Sequence, residues 1–212
     1  MAETIGYDEV VRMLSAAVEK IRGNHRQLSK LDSATGDGDH GTAMSRAVDA
    51  VQKVIDNDPP RALKPLLNNI AWGVMGIDGG STGPLFGSLF LGLSDGVGDN
   101  ETLDCAALAA MFEAGLAKVQ KQSKAQVGDK TMMDALIPAV EALRKAAEGD
   151  DTIDEALRRA AEAARQGADA TAAMQAKFGR AKNLGQRTVG HVDPGAASTA
   201  YLFEGFCEGI GD

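Results

Sequence analysis

The chain has 212 residues, with 30 acidic and 22 basic side chains and a formal net charge of −8 at pH 7. This length suits one domain with a substantial core, covering residues 1–212, and the negative charge excludes DNA or another polyanion as a partner of the bulk surface. The chain has no run of 18 apolar residues, no visible signal peptide and no disulfide framework from Cys105 and Cys207, so we expect a cytoplasmic protein without membrane or nucleic-acid partners.

Apolar residues recur at helical spacing along most of the chain, and no segment alternates as a strand does. In chain order, the predicted helices cover about 7–32, His40 to before Asp58, 62–76, 83–93, 108–119, 133–143, a long segment opened by a Thr152–Glu155 capping box, and 195–209. His25 falls on the first apolar stripe, so we predict that it is packed. The pattern favours an all-α fold, an eight-helix antiparallel up-and-down barrel or bundle.

Two short patterns match motifs whose structural context is missing. Residues 36–41, GDGDHG, have the glycine spacing of a dinucleotide-binding turn, but a polar helical segment precedes them where a strand is required. The same stretch fails as a calcium loop, because Thr42 and Val48 stand where glycine and glutamate are needed. Residues 79–83, GGSTG, match a nucleophile elbow, yet no sheet surrounds them, which disfavours a hydrolase triad of Ser81 with His191.

Three aspartates cluster after the first helix, at Asp32, Asp37 and Asp39. Clustered carboxylates repel one another unless a cation lies among them. Hard oxygen ligands without cysteine suit Mg²⁺, which commonly takes substrate phosphates as its other ligands. Three solvated loop acids are the alternative reading of the same spacing.

Several helix starts could supply an anion site beside this metal. Backbone N–H groups are free where His40-Gly41-Thr42 begins the second helix and where Asp193-Pro194-Gly195 begins the last one. Ser81 and Thr82 add hydroxyl groups ahead of another helix, and Arg180 is a candidate phosphate or base partner. Together with the carboxylates, these groups predict a nucleotide phosphate site on an all-helical scaffold.

Four motifs, in this order, resemble those of the nucleotide-binding L subunit or domain of dihydroxyacetone kinases. They are LDSATGDGDHGTAM, GGSTGPLFGSLF, GDKTMMDALIP and GRAKNLGQRTVGHVDPGAAS. The resemblance covers essentially the whole chain, and it implies an eight-helix barrel with the nucleotide site at one end.

The resemblance also implies roles for individual residues. Asp32, Asp37 and Asp39 would hold two Mg²⁺ ions that bridge the phosphates of ADP or ATP. The implied nucleotide contacts are His40, Gly41, Thr42, Ala43, Ser81, Thr82, Gly128, Ile137, Arg180, Asp193, Pro194 and Gly195. Ala43 and Ile137 depart from the asparagine and methionine that are frequent in the family. Neither departure removes a metal ligand, but a side-chain bond from position 43 is lost.

The resemblance finally implies partners. A separate K subunit holds the sugar, and the phosphoryl group passes to a hydroxyl of that sugar either from ATP or from ADP that a phosphoenolpyruvate-dependent M phosphocarrier subunit rephosphorylates. No histidine of this chain need be phosphorylated on that route. A homodimer, a tetrose such as erythrulose as acceptor, and a non-catalytic nucleotide-binding module that contacts a transcription regulator remain open alternatives.

Overall fold

The computed structural model describes residues 3–57, 61–78, 80–149 and 151–211. The α-helices in these ranges are α1 Tyr7–Thr35, α2 His40–Asp56, α3 Leu63–Met75, α4 Thr82–Val97, α5 Cys105–Gln122, α6 Met133–Glu148, α7 Ile153–Ala170 and α8 Pro194–Gly211. Two 3-10 helices, Thr171–Ala173 and Arg180–Thr188, lie between α7 and α8. The all-α prediction is confirmed: β structure in the described ranges amounts to one isolated bridge between Ile5 and Leu103.

Each helix packs against the helices that precede and follow it in the chain, and α1 packs extensively against α8. The eight helices therefore form a closed ring around one core. Gly205 allows the α1–α8 contact, because a Cβ there would lie 2.3 Å from the Cα of Ala17. The ring centroids of Phe112 on α5 and of Phe203 and Phe206 on α8 lie 5.3 to 5.9 Å apart, the separations of favourable aromatic pairs.

Short connections between neighbouring helices favour an antiparallel arrangement, which places alternate links at opposite ends of the ring. The links that precede α2, α4, α6 and α8 then share one end, called here the site end. The links that precede α3, α5 and α7 share the other end, where the Ile5–Leu103 bridge also ties the start of α1 to the link before α5. As a consequence, every even-numbered helix begins at the site end.

Local chemistry explains where several helices begin. The predicted capping box is confirmed: Glu155 N donates to Thr152 Oγ1 (3.3 Å) and Thr152 N donates to Glu155 Oε2 (3.0 Å) at the start of α7. The Asp104 carboxylate accepts from Ala107 N at 2.7 Å and caps α5. Helix α4 continues to Val97, four residues beyond the predicted end.

Three sequence predictions about individual residues can be compared with the structure. Both cysteines are free, as expected. Helix α2 ends before Asp58 as predicted, although residues 58–60 themselves lie outside the described ranges. The prediction for His25 is wrong: its side chain is exposed and its Nδ1 lies 2.9 Å from the carbonyl oxygen of Arg22. The start of α2 covers the backbone of His25 rather than its imidazole, since a Cβ on Gly41 would meet the His25 carbonyl.

In the described part of the chain, no helix combines the length and apolar character needed to cross a membrane.

Candidate functional site

A cleft of about 480 Å³ opens at the site end of the ring. Its walls come from all four links at that end: 32–40, 80–86, 122–132 and 178–195. The cleft contains ten of the predicted site residues, namely Asp32, Asp37, Asp39, His40, Ser81, Thr82, Arg180, Asp193, Pro194 and Gly195. Four stretches that are far apart in sequence therefore meet at one cavity.

The three predicted metal ligands lie together on one wall of this cleft. Carboxylate oxygens of Asp32, Asp37 and Asp39 lie within 4.8 Å of one another. Asp32 belongs to the last turn of α1 and accepts a hydrogen bond from His40 N at 3.1 Å, which joins the helix to the start of α2. The intervening turn requires glycine, because Gly38 has φ +80° and a Cβ on Gly36 would lie 2.2 Å from Asp32 Oδ1.

This carboxylate cluster fits a hard divalent cation. Two ligands of one octahedral Mg²⁺, bonded at about 2.1 Å, lie at most about 4.2 Å apart. Neighbouring ligands of the same ion lie about 3.0 Å apart, so the three carboxylates, within 4.8 Å of one another, can share an ion after side-chain movements of up to about 2 Å. The Arg180 guanidinium forms an ion pair with Asp37 and supplies positive charge at the same place.

Helix N-termini supply further positive potential at the cleft, since α2, α4, α6 and α8 all begin there. The N-cap residues Asp39 and Ser81 make no side-chain cap bond, whereas Asp104 and Thr152 cap α5 and α7 at the opposite end. The first backbone N–H groups of α2 and α4 are thus not engaged by their own N-cap side chains. This is the arrangement that suits a bound anion.

His40 connects two of these helix starts to α8. Its Nε2 lies 3.0 Å from Ser198 Oγ and its Nδ1 lies 3.5 Å from Thr82 Oγ1. Burial lowers the pKa of His40, against the opposing influence of the Asp32 carboxylate. The imidazole is therefore neutral near pH 7, where it orients the Thr82 hydroxyl rather than adding charge.

The opposite wall holds a half-buried polar group, Asp193, at the start of α8. Asp193 Oδ2 accepts from Ala196 N at 2.8 Å, and Asp193 N donates to Thr171 Oγ1 at 2.8 Å. Burial raises the pKa of Asp193 to about 7, although the Ala196 hydrogen bond and the nearby Lys130 favour the charged carboxylate. Asp193 therefore changes charge near neutral pH while it caps α8.

Comparison with known proteins identifies the family of this site. The profile of the DAK2 domain matches residues 34–208. The chain belongs to the DAK2 domain family. The resemblance inferred from the four motifs is confirmed.

Relatives of similar length carry the name of the DhaL subunit. The chain is 36% identical over 200 residues to the ADP-binding subunit DhaL of PEP-dependent dihydroxyacetone kinase 1 from Listeria innocua, covering 94% of this chain and 95% of the relative. It is 33% identical over 199 residues to the corresponding DhaL subunit from Escherichia coli, covering 92% and 93% of the two chains. The chain is also 34% identical over 203 residues to an L-erythrulose 1-kinase from Mycolicibacterium smegmatis, covering 94% of this chain and 35% of that enzyme.

The fold of this DAK2 domain matches a solved structure. The dihydroxyacetone kinase of C. freundii superposes with a TM-score of 0.74 at 25% identity, over 94% of this chain. The matched region is about a third of that protein. A second structure of the C. freundii enzyme was solved in complex with AMP-PNP and Mg²⁺, and its TM-score is 0.71 at 26% identity, over 94% of this chain and 33% of that one.

Five predicted nucleotide contacts of this DAK2 domain do not line the cleft. Gly41 and Ala43 are buried in the packed face of α2, and Thr42 is exposed beside them. Gly128 turns the α5–α6 link with φ +96°, and Ile137 packs against the core from the second turn of α6. For these five residues, a direct contact with nucleotide stays a prediction.

The wall formed by the α5–α6 link carries polar residues that were not predicted as site residues. Lys130 and Thr131 line the cleft, and Asp134 behind them accepts from Gly128 N (2.6 Å) and Thr131 N (2.7 Å). A signal was present, because Thr131-x-x-Asp134 has the spacing of a capping box. No sequence pattern indicated that Lys130 is buried, since a lysine is rarely buried without a partner.

Proposed function

We propose that the chain is the nucleotide-binding subunit of a dihydroxyacetone kinase, which delivers a phosphoryl group to a hydroxyl of a small ketose held on a separate K subunit. The observation that carries this proposal is the convergence, in one cleft, of three carboxylates and four helix N-termini. A nucleotide tail requires both features, because its phosphates need donors and its metal ions need carboxylates.

Asp32, Asp37 and Asp39 would hold two Mg²⁺ ions, which neutralise charge on the phosphates and so assist their transfer. The N-termini of α2 and α4, with the Ser81 and Thr82 hydroxyls, would donate hydrogen bonds to phosphate oxygens. Arg180 would leave Asp37 and pair with phosphate. The neutral His40 would hold Thr82 in place.

The transfer itself needs little covalent chemistry from this chain. The sugar hydroxyl oxygen forms a bond to the terminal phosphorus, the bond from that phosphorus to the bridging oxygen breaks, and the hydroxyl proton leaves to a base outside this chain. The chain binds the donor, orients it and excludes water from it. The sugar and its K subunit must therefore approach the open mouth of the cleft.

The phosphoryl donor is proposed to be ATP that forms in place when an M phosphocarrier subunit phosphorylates bound ADP, and transfer to the sugar regenerates that ADP. Support comes from the PEP-dependent DhaL relatives, which this chain matches along nearly their whole length. Exchangeable ATP is the alternative. A tetrose acceptor is the second candidate, favoured by the similarity to an L-erythrulose 1-kinase, of which this chain matches 35%.

The decisive test is a mixed assay with a cognate K subunit. Asp37→Ala should abolish phosphorylation of dihydroxyacetone, while Asp99→Ala, an exposed carboxylate in the link before α5, should not. An unchanged rate for Asp37→Ala would remove the metal proposal. Denaturing the dialysed wild-type protein and identifying the released nucleotide separates the donors: stoichiometric ADP supports the bound-cofactor route, and no nucleotide supports exchange of ATP.

A further inference from the structure

Lys130 has an unusual backbone and an unusual environment. Its φ is +61°, and no other non-glycine residue in the described ranges has a positive φ. Its exposure is 2%. A left-handed backbone and a buried ammonium both cost free energy, and such features persist only where the surroundings impose them.

The ammonium of Lys130 joins two distant parts of the chain. Its Nζ donates to the carbonyl oxygen of Thr171 at 2.5 Å and also to the carbonyl oxygen of His191. These carbonyls lie at the two ends of the α7–α8 link, residues 171–193. The Thr171 carbonyl also follows the C-terminus of α7, where the helix dipole favours a cation.

Neighbouring residues hold Lys130 in this position. The buried carboxylate of Asp134 binds the backbone N–H groups of Gly128 and Thr131, on either side of Lys130. Asp129 makes a second connection, because its Oδ1 accepts from Lys177 Nζ at 2.8 Å. Through Lys130 and Asp129, the α5–α6 link thus binds the start, the middle and the end of the α7–α8 link.

The α7–α8 link carries groups of the cleft that the proposed function requires. Arg180 and Asp193 lie within this link, and the N-terminus of α8 follows it directly. The acidic cluster, in contrast, lies on the end of α1 and the α1–α2 link, and it contacts the α7–α8 link through the ion pair of Asp37 with Arg180, a cation that a bound metal ion would displace. Loosening the link should therefore affect the nucleotide much more than the metal.

We propose that Lys130 is a positioning residue of the nucleotide site. Its ammonium clamps both ends of the α7–α8 link, so that Arg180 and the start of α8 face the acidic cluster. The role in nucleotide binding rests on the proposed function, whereas the clamp itself does not. Lys130 acts through the two backbone carbonyls and makes no bond to nucleotide or metal.

Two substitutions separate the ammonium from the backbone turn. Lys130→Met removes the charge and retains the length, and Lys130→Gly also relieves the left-handed strain. Lys124→Met, at an exposed lysine of the same link, is the matched control. Hydrogen–deuterium exchange of residues 171–193 in the nucleotide-free proteins measures the clamp, calorimetry with ADP and Mg²⁺ measures nucleotide affinity, and Mn²⁺ titration without nucleotide measures the acidic cluster.

We expect both Lys130 variants to speed exchange in residues 171–193 at least tenfold and to weaken ADP binding at least tenfold, with Mn²⁺ affinity equal to or above that of wild type, since Arg180 competes with a metal ion for Asp37. Wild-type exchange in Lys130→Gly would overturn the proposal, because the residue would then serve only the turn. Weaker ADP binding with unchanged exchange would also overturn it, by indicating direct contact with the nucleotide.

If Lys130→Met does not fold, Asp134→Asn tests the same clamp by weakening the turn that presents Lys130. Faster exchange in residues 171–193 supports the proposal, and unchanged exchange contradicts it. A wild-type protein that binds no ADP would refute the proposed function, yet the exchange measurement on the nucleotide-free protein would still decide whether the clamp exists.

Discussion

Gly41 lies where α2 crosses α1, and replacing it with alanine should disturb both the fold and the site. A Cβ there would lie 2.0 Å from the His25 carbonyl oxygen, 2.4 Å from Ser29 Oγ and 2.9 Å from Ser29 N. Two of these atoms belong to the backbone of α1 and are fixed by that helix. Since ordinary contact begins at 3.4 Å, α2 must move by up to 1.4 Å (3.4 minus 2.0).

Overpacking of this kind costs about 1–3 kcal/mol. Alanine recovers about 1 kcal/mol of helix propensity relative to glycine. Because two of the obstructing atoms are backbone atoms, we expect an overpacking cost in the upper part of that range. The free energy of unfolding should therefore fall by about 1–2 kcal/mol. Asp39 and His40 move with Gly41 relative to Asp32, and a displacement near 1 Å exceeds the roughly 0.5 Å that a preorganised site tolerates. ADP affinity with Mg²⁺ should fall at least tenfold.

Urea unfolding in EDTA and calorimetry with ADP and Mg²⁺ measure the two effects separately. Gly23→Ala on α1 is the matched control, because nothing lies within 4 Å of its added Cβ. The control should gain up to about 1 kcal/mol and bind normally. If Gly41→Ala kept wild-type stability and lost only nucleotide affinity, Gly41 would contact the nucleotide, as the family resemblance implies, and the packing argument would be refuted.

Three further predictions concern charge and capping. Asp37→Asn should change the stability of the protein in EDTA little, because relief of a carboxylate repulsion of about 0.9 kcal/mol at 4.8 Å in water offsets the loss of the exposed ion pair with Arg180. The variant should also lose the increase in Tm that ADP and Mg²⁺ give, and a retained increase would contradict the metal site. Asp193 has a folded-state pKa raised to about 7, so its contribution should decrease the free energy of unfolding as pH rises from 4 to 7, by at most about 1.4 kcal/mol per pH unit. Asp193→Asn retains a cap for α8 and should flatten that slope in urea unfolding from pH 4 to 8, whereas an unchanged slope would assign the titration to another group. Thr152→Ala should cost about 1 kcal/mol by removing the α7 cap and should leave ADP affinity unchanged, since α7 begins at the end opposite the cleft; altered affinity in calorimetry would contradict that separation.

Local sequence signals were sufficient for the helices and for the acidic wall of the cleft. Apolar periodicity and caps depend on neighbours within a few residues, and Asp32, Asp37 and Asp39 come from one continuous stretch. Their proximity follows from a single turn between two helices. The clustering of Asp32, Asp37 and Asp39 was therefore readable before any fold was known.

Contacts between residues far apart in the sequence account for the features that could not be predicted, the burial of Lys130 and the exposure of His25. Lys130 receives its partners from Thr171 and His191, which are 41 and 61 residues away. His25 satisfied the apolar period of α1 and is nevertheless exposed, because the covering element is another helix whose closest residue, Gly41, has no side chain. In both cases burial was decided by the partner element, and no local pattern in α1 or in the α5–α6 link describes that partner.

Positive groups at the site end explain how the three carboxylates can lie close together before a metal ion binds. Three carboxylates within 4.8 Å repel one another, and they lie where four helices present their positive ends. The N-terminus of α2 favours the carboxylate of Asp39, its N-cap residue, and Asp32, in the last turn of α1, accepts a hydrogen bond from His40 N at 3.1 Å. Arg180, held on a link that Lys130 clamps, adds a positive charge that is free to pair with a phosphate once a metal ion replaces it beside Asp37. The start of α2, the His40 N–H group and the Arg180 guanidinium therefore together stabilise the acidic cluster in a geometry close to the one that a metal ion requires.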